Sequence, residues 1–235
     1  MRGKWFIVPL LLLCLSLQSA HGAVALVTST TARSTNSNGF TSSGINTTGA
    51  NLIVVGVVRL TGVSATLSDS KGNTYTAGTE TTGVTPLLRL YYCASPVVGT
   101  GHTFTVTSTG AYPAIAVLAF SGASTSPADL HSEATSASGN TIQPGSITPS
   151  ENSCVLVTAV GSNSNPQNID NGFTAVTIDP AGGAAFGIGI AHKIQTTATA
   201  VNPTWTSSGQ VNASAVMASF KATAVKPLPP FLLIR

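Results

Sequence analysis

The stretch from His102 to Gly122, HTFTVTSTGAYPAIAVLAFSG, decides the fold. Phe104 and Val106 alternate with threonines, and a side-chain period of two places both apolar residues on one face of a β-strand. A second run, AIAVLAFSG from position 114 to 122, is rich in β-favouring residues and bounded by proline and glycine. We therefore predict two consecutive strands here.

Similar short runs recur along the whole chain. They lie at 51–60, 63–69, 86–95, 153–161, 184–194 and 211–223, each between residues that favour turns. Glu, Lys, Arg and Gln are scarce, and after the N-terminal segment no long segment repeats its apolar residues at helical spacing. The predicted fold class is all-β, a jelly-roll-like or immunoglobulin-like antiparallel sandwich of two sheets.

An internal repeat is the second prediction. Residues 102–123 align without a gap on residues 201–222, an offset of 99, with nine identities in 22 positions. Self-similarity at a fixed period indicates repeated structural units. We predict a first β unit over 23–124 and a second over 125–224, which together form one sandwich. Two small sandwiches in tandem are the alternative.

The two ends of the chain predict export and an irregular tail. Residues 1–22 combine Arg2 and Lys4 with an apolar run and a small-residue cleavage pattern, which is typical of a secretory signal peptide cleaved at 22 or as late as 25. The run is too short for a membrane span, and no transmembrane segment is predicted in the mature chain. Residues 225–235 form a Pro-rich tail. The protein is expected to be secreted or on the cell surface.

Charge and motifs exclude several function classes. Charged residues are only 7% of the chain, and removing Arg2 and Lys4 lowers the formal net charge from +3 to +1. No basic cluster is present, so no nucleic-acid partner is predicted. The chain has no G-x-S-x-G, H-E-x-x-H or phosphate-loop motif. We predict no enzymatic activity and no cofactor.

Five residues are candidates for a metal site or a disulfide. Asp129, His131 and Glu133 alternate, so on a regular strand they share one face and offer ligands to a divalent cation. The other interpretation is a solvated strand face. Cys93 and Cys154 are the two cysteines of the mature chain, and an oxidising compartment permits a bridge between them; two separate thiols are the alternative.

Aromatic residues are the candidates for sugar binding. Tyr91 and Tyr112 are predicted to face outward, where a ring can stack on a glycan. Trp205 alternates with threonines and aligns with Val106, so it is assigned to the core.

The heptapeptide Asp69–Tyr75, DSKGNTY, is predicted to be a hairpin turn. It lies between two alternating runs, Asp69 can accept backbone N–H groups, and Gly72 can adopt a positive φ. A calcium loop would need further oxygen ligands that are missing here. A weaker counterpart, DNGF at 170–173, lies at the corresponding place in the second unit.

Several of these strings together resemble a known family. TGANLIVVGVV, LSDSKGNTYT, LRLYYCASPVVGTGHTFTVT and AVLAFSGASTSPAD are similar to an uncharacterised β-sandwich domain of exported bacterial and phage proteins. The resemblance covers about residues 40–222 and implies a sandwich fold and a surface location, with no catalytic residues.

The sequence therefore favours an exported structural, adhesive or surface-associated protein without enzymatic activity. A carbohydrate-binding module is the alternative, and a secreted hydrolase is a distant third. The expected partners are a glycan or cell-surface component, or a second copy bound through edge strands.

Overall fold

A computed structural model describes residues 23–34, 36, 38–180, 186–209 and 212–224. In these residues the chain forms sixteen β-strands and no helix, so the all-β prediction is confirmed. No helix in the described part is long and apolar enough to cross a membrane. The predicted signal peptide, at 1–22, and the Pro-rich tail, at 225–235, lie outside the described residues.

Each half of the chain contributes eight strands. The first half contains β1 Ala25–Arg33, β2 Phe40–Thr41, β3 Leu52–Arg59, β4 Ala65–Asp69, β5 Thr76–Glu80, β6 Leu87–Ala94, β7 Phe104–Ser108 and β8 Ala114–Ser121. The second half contains β9 Ala123–Ser136, β10 Thr141–Ile142, β11 Cys154–Ser162, β12 Pro166–Ile169, β13 Thr174–Asp179, β14 Gly187–Gln195, β15 Trp205–Ser207 and β16 Ala213–Ala222.

The two halves have the same sheet topology. The first forms a five-stranded sheet of order β1-β8-β3-β6-β5 and a three-stranded sheet of order β2-β7-β4. The second repeats both with β9-β16-β11-β14-β13 and β10-β15-β12. Among the described strands, none is shared between the halves. Each half forms its own pair of sheets, which agrees with the alternative of two sandwiches rather than with one common pair of sheets.

Three apolar clusters show how the four sheets stack. One cluster fills the first sandwich and includes Phe104 and Val106, and another fills the second and includes Trp205. The third and largest lies between the two five-stranded sheets and draws residues from both halves. The layers therefore contain three, five, five and three strands, and the two large sheets are covered on both faces.

This stacking explains the run LIVVGVV in β3. Ile53, Val55 and Val57 point into the first sandwich, whereas Leu52 and Val54 point toward the second half. A strand covered on both faces needs apolar residues at every position rather than at alternate ones. The same holds for β8, β11 and β16, whose residues are almost all buried.

Contacts between the halves are reciprocal. Strand β6 packs on β16 and β14 packs on β8, while β1 lies beside β13 and β9 beside β5. The contact between β14 and β8 is the counterpart of the contact between β6 and β16 with the two halves exchanged, and the same holds for the other two pairs. Such reciprocal contacts are found at the interface of a two-fold symmetric dimer. Two ring pairs repeat the pattern: Tyr92 meets Phe220 at 5.6 Å and 61°, and His192 meets Phe120 at 5.5 Å and 63°.

Strands β3 and β11 approach each other at the centre of this interface, where two glycines permit close contact. A Cβ atom on Gly56 would lie 3.3 Å from Cβ of Ala159, and one on Gly161 would lie 2.6 Å from Cγ2 of Val58. The small residue is on β3 in the first contact and on β11 in the second. The two faces are therefore complementary rather than identical.

The structure corrects the predicted alignment of the halves. At an offset of 99, Ala114 aligns with Ala213, yet Ala114 faces the other half and Ala213 faces the core of its own sandwich. Because side chains alternate, a shift of one residue exchanges the two faces of a strand. An offset of 100 over β8 and β16 places Phe120 on Phe220, and both then face the interface.

Gly122 alone connects the last strand of the first half to the first strand of the second. Its φ is +77°, and a Cβ there would lie 2.2 Å from the carbonyl oxygen of Ala23, so only glycine fits. The halves are joined without a flexible linker, and the boundary lies two residues before the predicted one at 124.

Candidate functional site

The heptapeptide DSKGNTY is an arch between two sheets, not a hairpin turn. It leaves β4 in the three-stranded sheet and enters β5 in the five-stranded sheet, and these strands are not paired. The predicted positive φ at Gly72 is present, at +75°. We call residues 69–75 the Asp69 arch.

Asp69 is the centre of this arch. Its Oδ1 accepts the backbone N–H groups of Lys71 and Asn73 at 2.9 and 3.1 Å. Its Oδ2 accepts the Asn73 amide at 2.9 Å and the Tyr75 hydroxyl at 2.6 Å. The side chain has no exposed surface. One carboxylate therefore fixes the backbone and two side chains of the loop.

The arch is also attached to the loop before β7. The Asn73 side chain donates to the Val97 carbonyl at 2.9 Å and accepts its N–H at 2.7 Å. The backbone N–H of Ser70 donates to the carbonyl of Thr103 at 3.0 Å, and the Thr103 N–H donates to Oγ of Ser70 at 3.0 Å. The two loops form one rigid end of the first sandwich.

His102 extends the network inward to Thr47. Its Nε2 lies 3.1 Å from Oδ2 of Asp69, and its Nδ1 lies 2.9 Å from Oγ1 of Thr47. An acid, a histidine and a hydroxyl that contact one another in series resemble a hydrolase triad. Here all three side chains lack exposed surface, and the Thr47 hydroxyl is bonded to both the N–H and the carbonyl of Gly99. No substrate can reach that hydroxyl, so the arrangement is structural.

The pKa values of the arch follow from burial and hydrogen bonding. Burial alone raises the pKa of a carboxyl group, but the hydrogen bonds from Tyr75 and Asn73, together with His102, outweigh it and lower the pKa of Asp69. Burial and then the hydrogen bond to Asp69 raise the pKa of Tyr75 well above its ordinary value. At neutral pH the pair is an ionised carboxylate and a neutral phenol.

The second half has a weaker arch at the same topological place, between β12 and β13. Asp170 accepts the Thr204 N–H at 2.6 Å and the Asn171 amide at 2.9 Å, but both Asp170 and Asn171 are exposed. Asn171 and Gly172 both have a positive φ, at 57° and 73°. We call residues 170–173 the Asp170 arch; it contains no buried histidine.

The three predicted metal ligands do not converge. Asp129 accepts the Ser150 N–H and hydroxyl at 3.0 and 2.5 Å and the Ser219 hydroxyl at 2.8 Å. His131 pairs instead with Glu133, with 2.9 Å between Nδ1 and Oε2. Within the described residues, no group of three His, Cys, Asp or Glu side chains could hold a metal ion.

A β-bulge explains why the predicted alternation fails. Along β16, Ala218 pairs with His131 but Phe220 pairs with Ala128, so two residues of β9 oppose one residue of β16. A bulge of this kind interrupts the period of two. Asp129 therefore does not share a face with His131.

Cys93 and Cys154 are both free and buried, so the possible disulfide is not formed. Cys154 belongs to the core of the second sandwich, and Cys93 lies in the first, on the opposite side of the interface between the halves. Burial raises the pKa of both thiols, that of Cys154 to about 11. Both are therefore protonated and unreactive at neutral pH.

The predicted glycan-binding tyrosines, Tyr91 and Tyr112, are half-buried and pack against apolar clusters. Tyr91 lies against the core of the first sandwich with Arg89 5.8 Å above its ring, and Tyr112 lies against the cluster between the halves. The sequence reasoning missed Tyr92. This residue lines a cleft of about 360 Å³ between the halves, which we call the inter-sandwich cleft. Its position depends on how two units pack, which no local pattern reveals.

Every acidic residue of the chain has a partner within the fold. Glu80 binds Arg59 at 2.5 Å and Arg89 at 3.5 Å, Asp179 lies 3.3 Å from Arg33, and Glu151 lies 3.6 Å from Lys221. The remaining four are Asp69, Asp129, Glu133 and Asp170, described above.

Comparisons with protein-family models, curated proteins and solved structures found no match for this chain.

Proposed function

We propose that this protein is an exported, non-enzymatic β-sandwich scaffold that acts in a structural or adhesive role at a cell or particle surface. The observation that carries the proposal is that the side chains able to do chemistry are already hydrogen-bonded, ion-paired or buried within the fold. Each carboxylate is bound to a backbone group, a hydroxyl, an imidazole or a cation of the same chain, and both cysteines are buried thiols.

Rigidity supports this role. One glycine connects the two halves, and both faces of the two large sheets are covered. Hydrogen bonds hold the Asp69 arch against the neighbouring loop. Such a body holds its exposed loops in fixed positions, which is what a load-bearing or adhesive module needs.

Self-association through the large sheets is disfavoured by their edges. The edge strands β1, β5, β9 and β13 all pair with a register shift, whereas the pairings among the inner strands β3, β6, β8, β11, β14 and β16 are regular. Bulged edges resist the addition of another strand. Among the edges of the small sheets, β2, β4 and β10 pair without a shift. Strand β4 is the longest of the three, so we place any contact between copies there.

Cell fractionation tests the proposal. The full chain, expressed with residues 1–22, is expected in the extracellular or surface fraction, and the purified mature chain is expected to hydrolyse no polysaccharide or ester substrate. A chain retained inside the cell, or one that turns over such a substrate, would contradict it.

Carbohydrate binding is the second candidate, and the inter-sandwich cleft is the observation that favours it.

A further inference from the structure

We propose that the inter-sandwich cleft binds a segment of a neutral oligosaccharide. This site would serve carbohydrate binding, the second candidate function, and the proposal rests on that candidate. Sugar binding is independent of the structural role, because each can be absent while the other is present.

The cleft lies where the two halves meet. Thr74, Thr76 and Tyr92 of the first half form one side, and residues 125–128 of β9 form the other. Its volume of about 360 Å³ is at the lower end of the range for small-molecule sites. Because its walls belong to two rigid sandwiches, the cleft exists before any ligand binds.

Hydroxyl groups dominate the lining. Thr74, Thr76, Thr125 and Ser126 are exposed, and none of these hydroxyls makes a hydrogen bond to another described residue. Elsewhere the threonine and serine hydroxyls of this chain are often bound, as between Thr61 and Thr85 at 2.6 Å. Free hydroxyls can both donate and accept, which matches the hydroxyl groups of a sugar.

The lining contains no Asp, Glu, Lys, Arg or His. Asp129 is adjacent in sequence, but its carboxylate is bound to Ser150 and Ser219. A site without charge cannot compensate a charged ligand for its lost hydration. The chemistry therefore selects a neutral ligand over an acidic one.

Tyr92 supplies the apolar surface. Its ring is held edge-on against Phe220 at 5.6 Å, and it remains partly exposed beside the buried Pro127. A ring fixed by packing loses little conformational freedom when a ligand stacks on it. An aromatic ring among free hydroxyls matches the alternation of apolar C–H faces and hydroxyl groups on a sugar.

The test is a titration of the mature chain with neutral hexasaccharides of glucose, mannose and xylose, followed by isothermal calorimetry and by chemical shifts. We expect at least one probe to bind with a Kd of about 1 mM or tighter. Tyr92→Ala should weaken that binding by about tenfold or more. The double variant Thr76→Val with Thr125→Val should weaken it by about fivefold or more through the loss of two hydroxyls.

Thr135→Val is the matched control, since Thr135 is an exposed threonine on β9, seven residues beyond the part of that strand that lines the cleft. It should bind as the unchanged chain does. The double threonine variant leaves the ring in place, so it decides the question even if Tyr92→Ala does not fold. Binding of no neutral probe, tighter binding of an acidic hexasaccharide, or unchanged binding by the folded variants would overturn the proposal.

Discussion

The two sandwiches share a strand order but differ at the arch that joins their sheets. The Asp69 arch is built on a buried carboxylate with His102 and Thr47 beneath it, whereas the Asp170 arch is exposed and makes fewer bonds. Both arches nevertheless connect equivalent strands, β4 to β5 in the first half and β12 to β13 in the second. The topology therefore follows from the apolar cores and not from the polar network, which adds stability to one half only.

Removing the Asp69 carboxylate should cause the largest loss of stability and should separate the two arches most clearly. Asp69→Ala leaves the Tyr75 hydroxyl, the Asn73 amide and His102 buried without their shared partner, so we expect a loss of about 3–5 kcal/mol in the free energy of unfolding. Asp170→Ala, the matched control in the second half, should cost less than about 1 kcal/mol. Urea unfolding measures both. Equal costs would show that the two arches are energetically alike.

The complementarity at the interface can be tested at Gly161. Gly161→Ala places a Cβ 2.6 Å from Cγ2 of Val58, and overpacking of this kind costs about 1–3 kcal/mol. Gly56→Ala, where the nearest atom is 3.3 Å away, should cost less.

A second change should restore the lost space. Val58→Ala combined with Gly161→Ala should be more stable than the sum of the single effects predicts, as a double-mutant cycle will show. Purely additive effects would mean that the two strands do not meet at this point.

Acid should weaken the packing between the halves. Burial lowers the pKa of His131 and of His192, although the nearby Glu133 partly opposes this at His131. The unfolded chain then takes up protons at higher pH than the folded chain, so stability is full above the ordinary histidine pKa of about 6.5 and is lost as pH falls below it. Glu133 and the backbone at Gly78 lie beside the His131 ring, and Phe120 lies beside the His192 ring.

Unfolding curves at several pH values between neutral and mildly acidic measure this loss. His192→Gln should flatten the dependence, since glutamine does not titrate in this range. A profile as steep as that of the unchanged chain would assign the effect to carboxylates such as Asp69, whose lowered pKa makes its stabilisation disappear only at lower pH.

We expect a reducing agent to leave the stability of the protein unchanged. Cys93 and Cys154 lie in different sandwiches as free thiols, so a reducing agent should leave the melting temperature unchanged. A thiol reagent should modify neither cysteine until the chain unfolds. Rapid reaction of either thiol in the folded chain would contradict its burial.

The sequence predicted the parts of this fold that depend on local pattern. Runs such as LIVVGVV and the alternation around Phe104 and Val106 identify strands because burial on two faces or on one imposes those patterns. The edge strand β1, ALVTSTTAR, was missed because it is only partly buried and carries mostly hydroxyl-bearing and small residues. The bulge in β9 was missed because a bulge has no sequence signature here.

The candidate sites were less predictable because they depend on how distant segments meet. His102 reaches Asp69 across 33 residues of chain, and the inter-sandwich cleft needs both halves in place. Local alternation correctly assigned Trp205 to the core, but it did not show that one side of the half-buried Tyr91 ring packs against the core of the first sandwich.

The central claim is that two complete sandwiches pack through their five-stranded sheets, with β3 against β11. The direct test is a disulfide between Gly56→Cys and Ala159→Cys, in a chain that also carries Cys93→Ala and Cys154→Ala. Their Cβ atoms would be about as close as a bridge requires, whereas Val55→Cys with Ala159→Cys is a control that points to the other face of β3. Mass spectrometry of the oxidised protein should show the first pair bridged and the second pair free. Two free thiols in the first pair would contradict this packing.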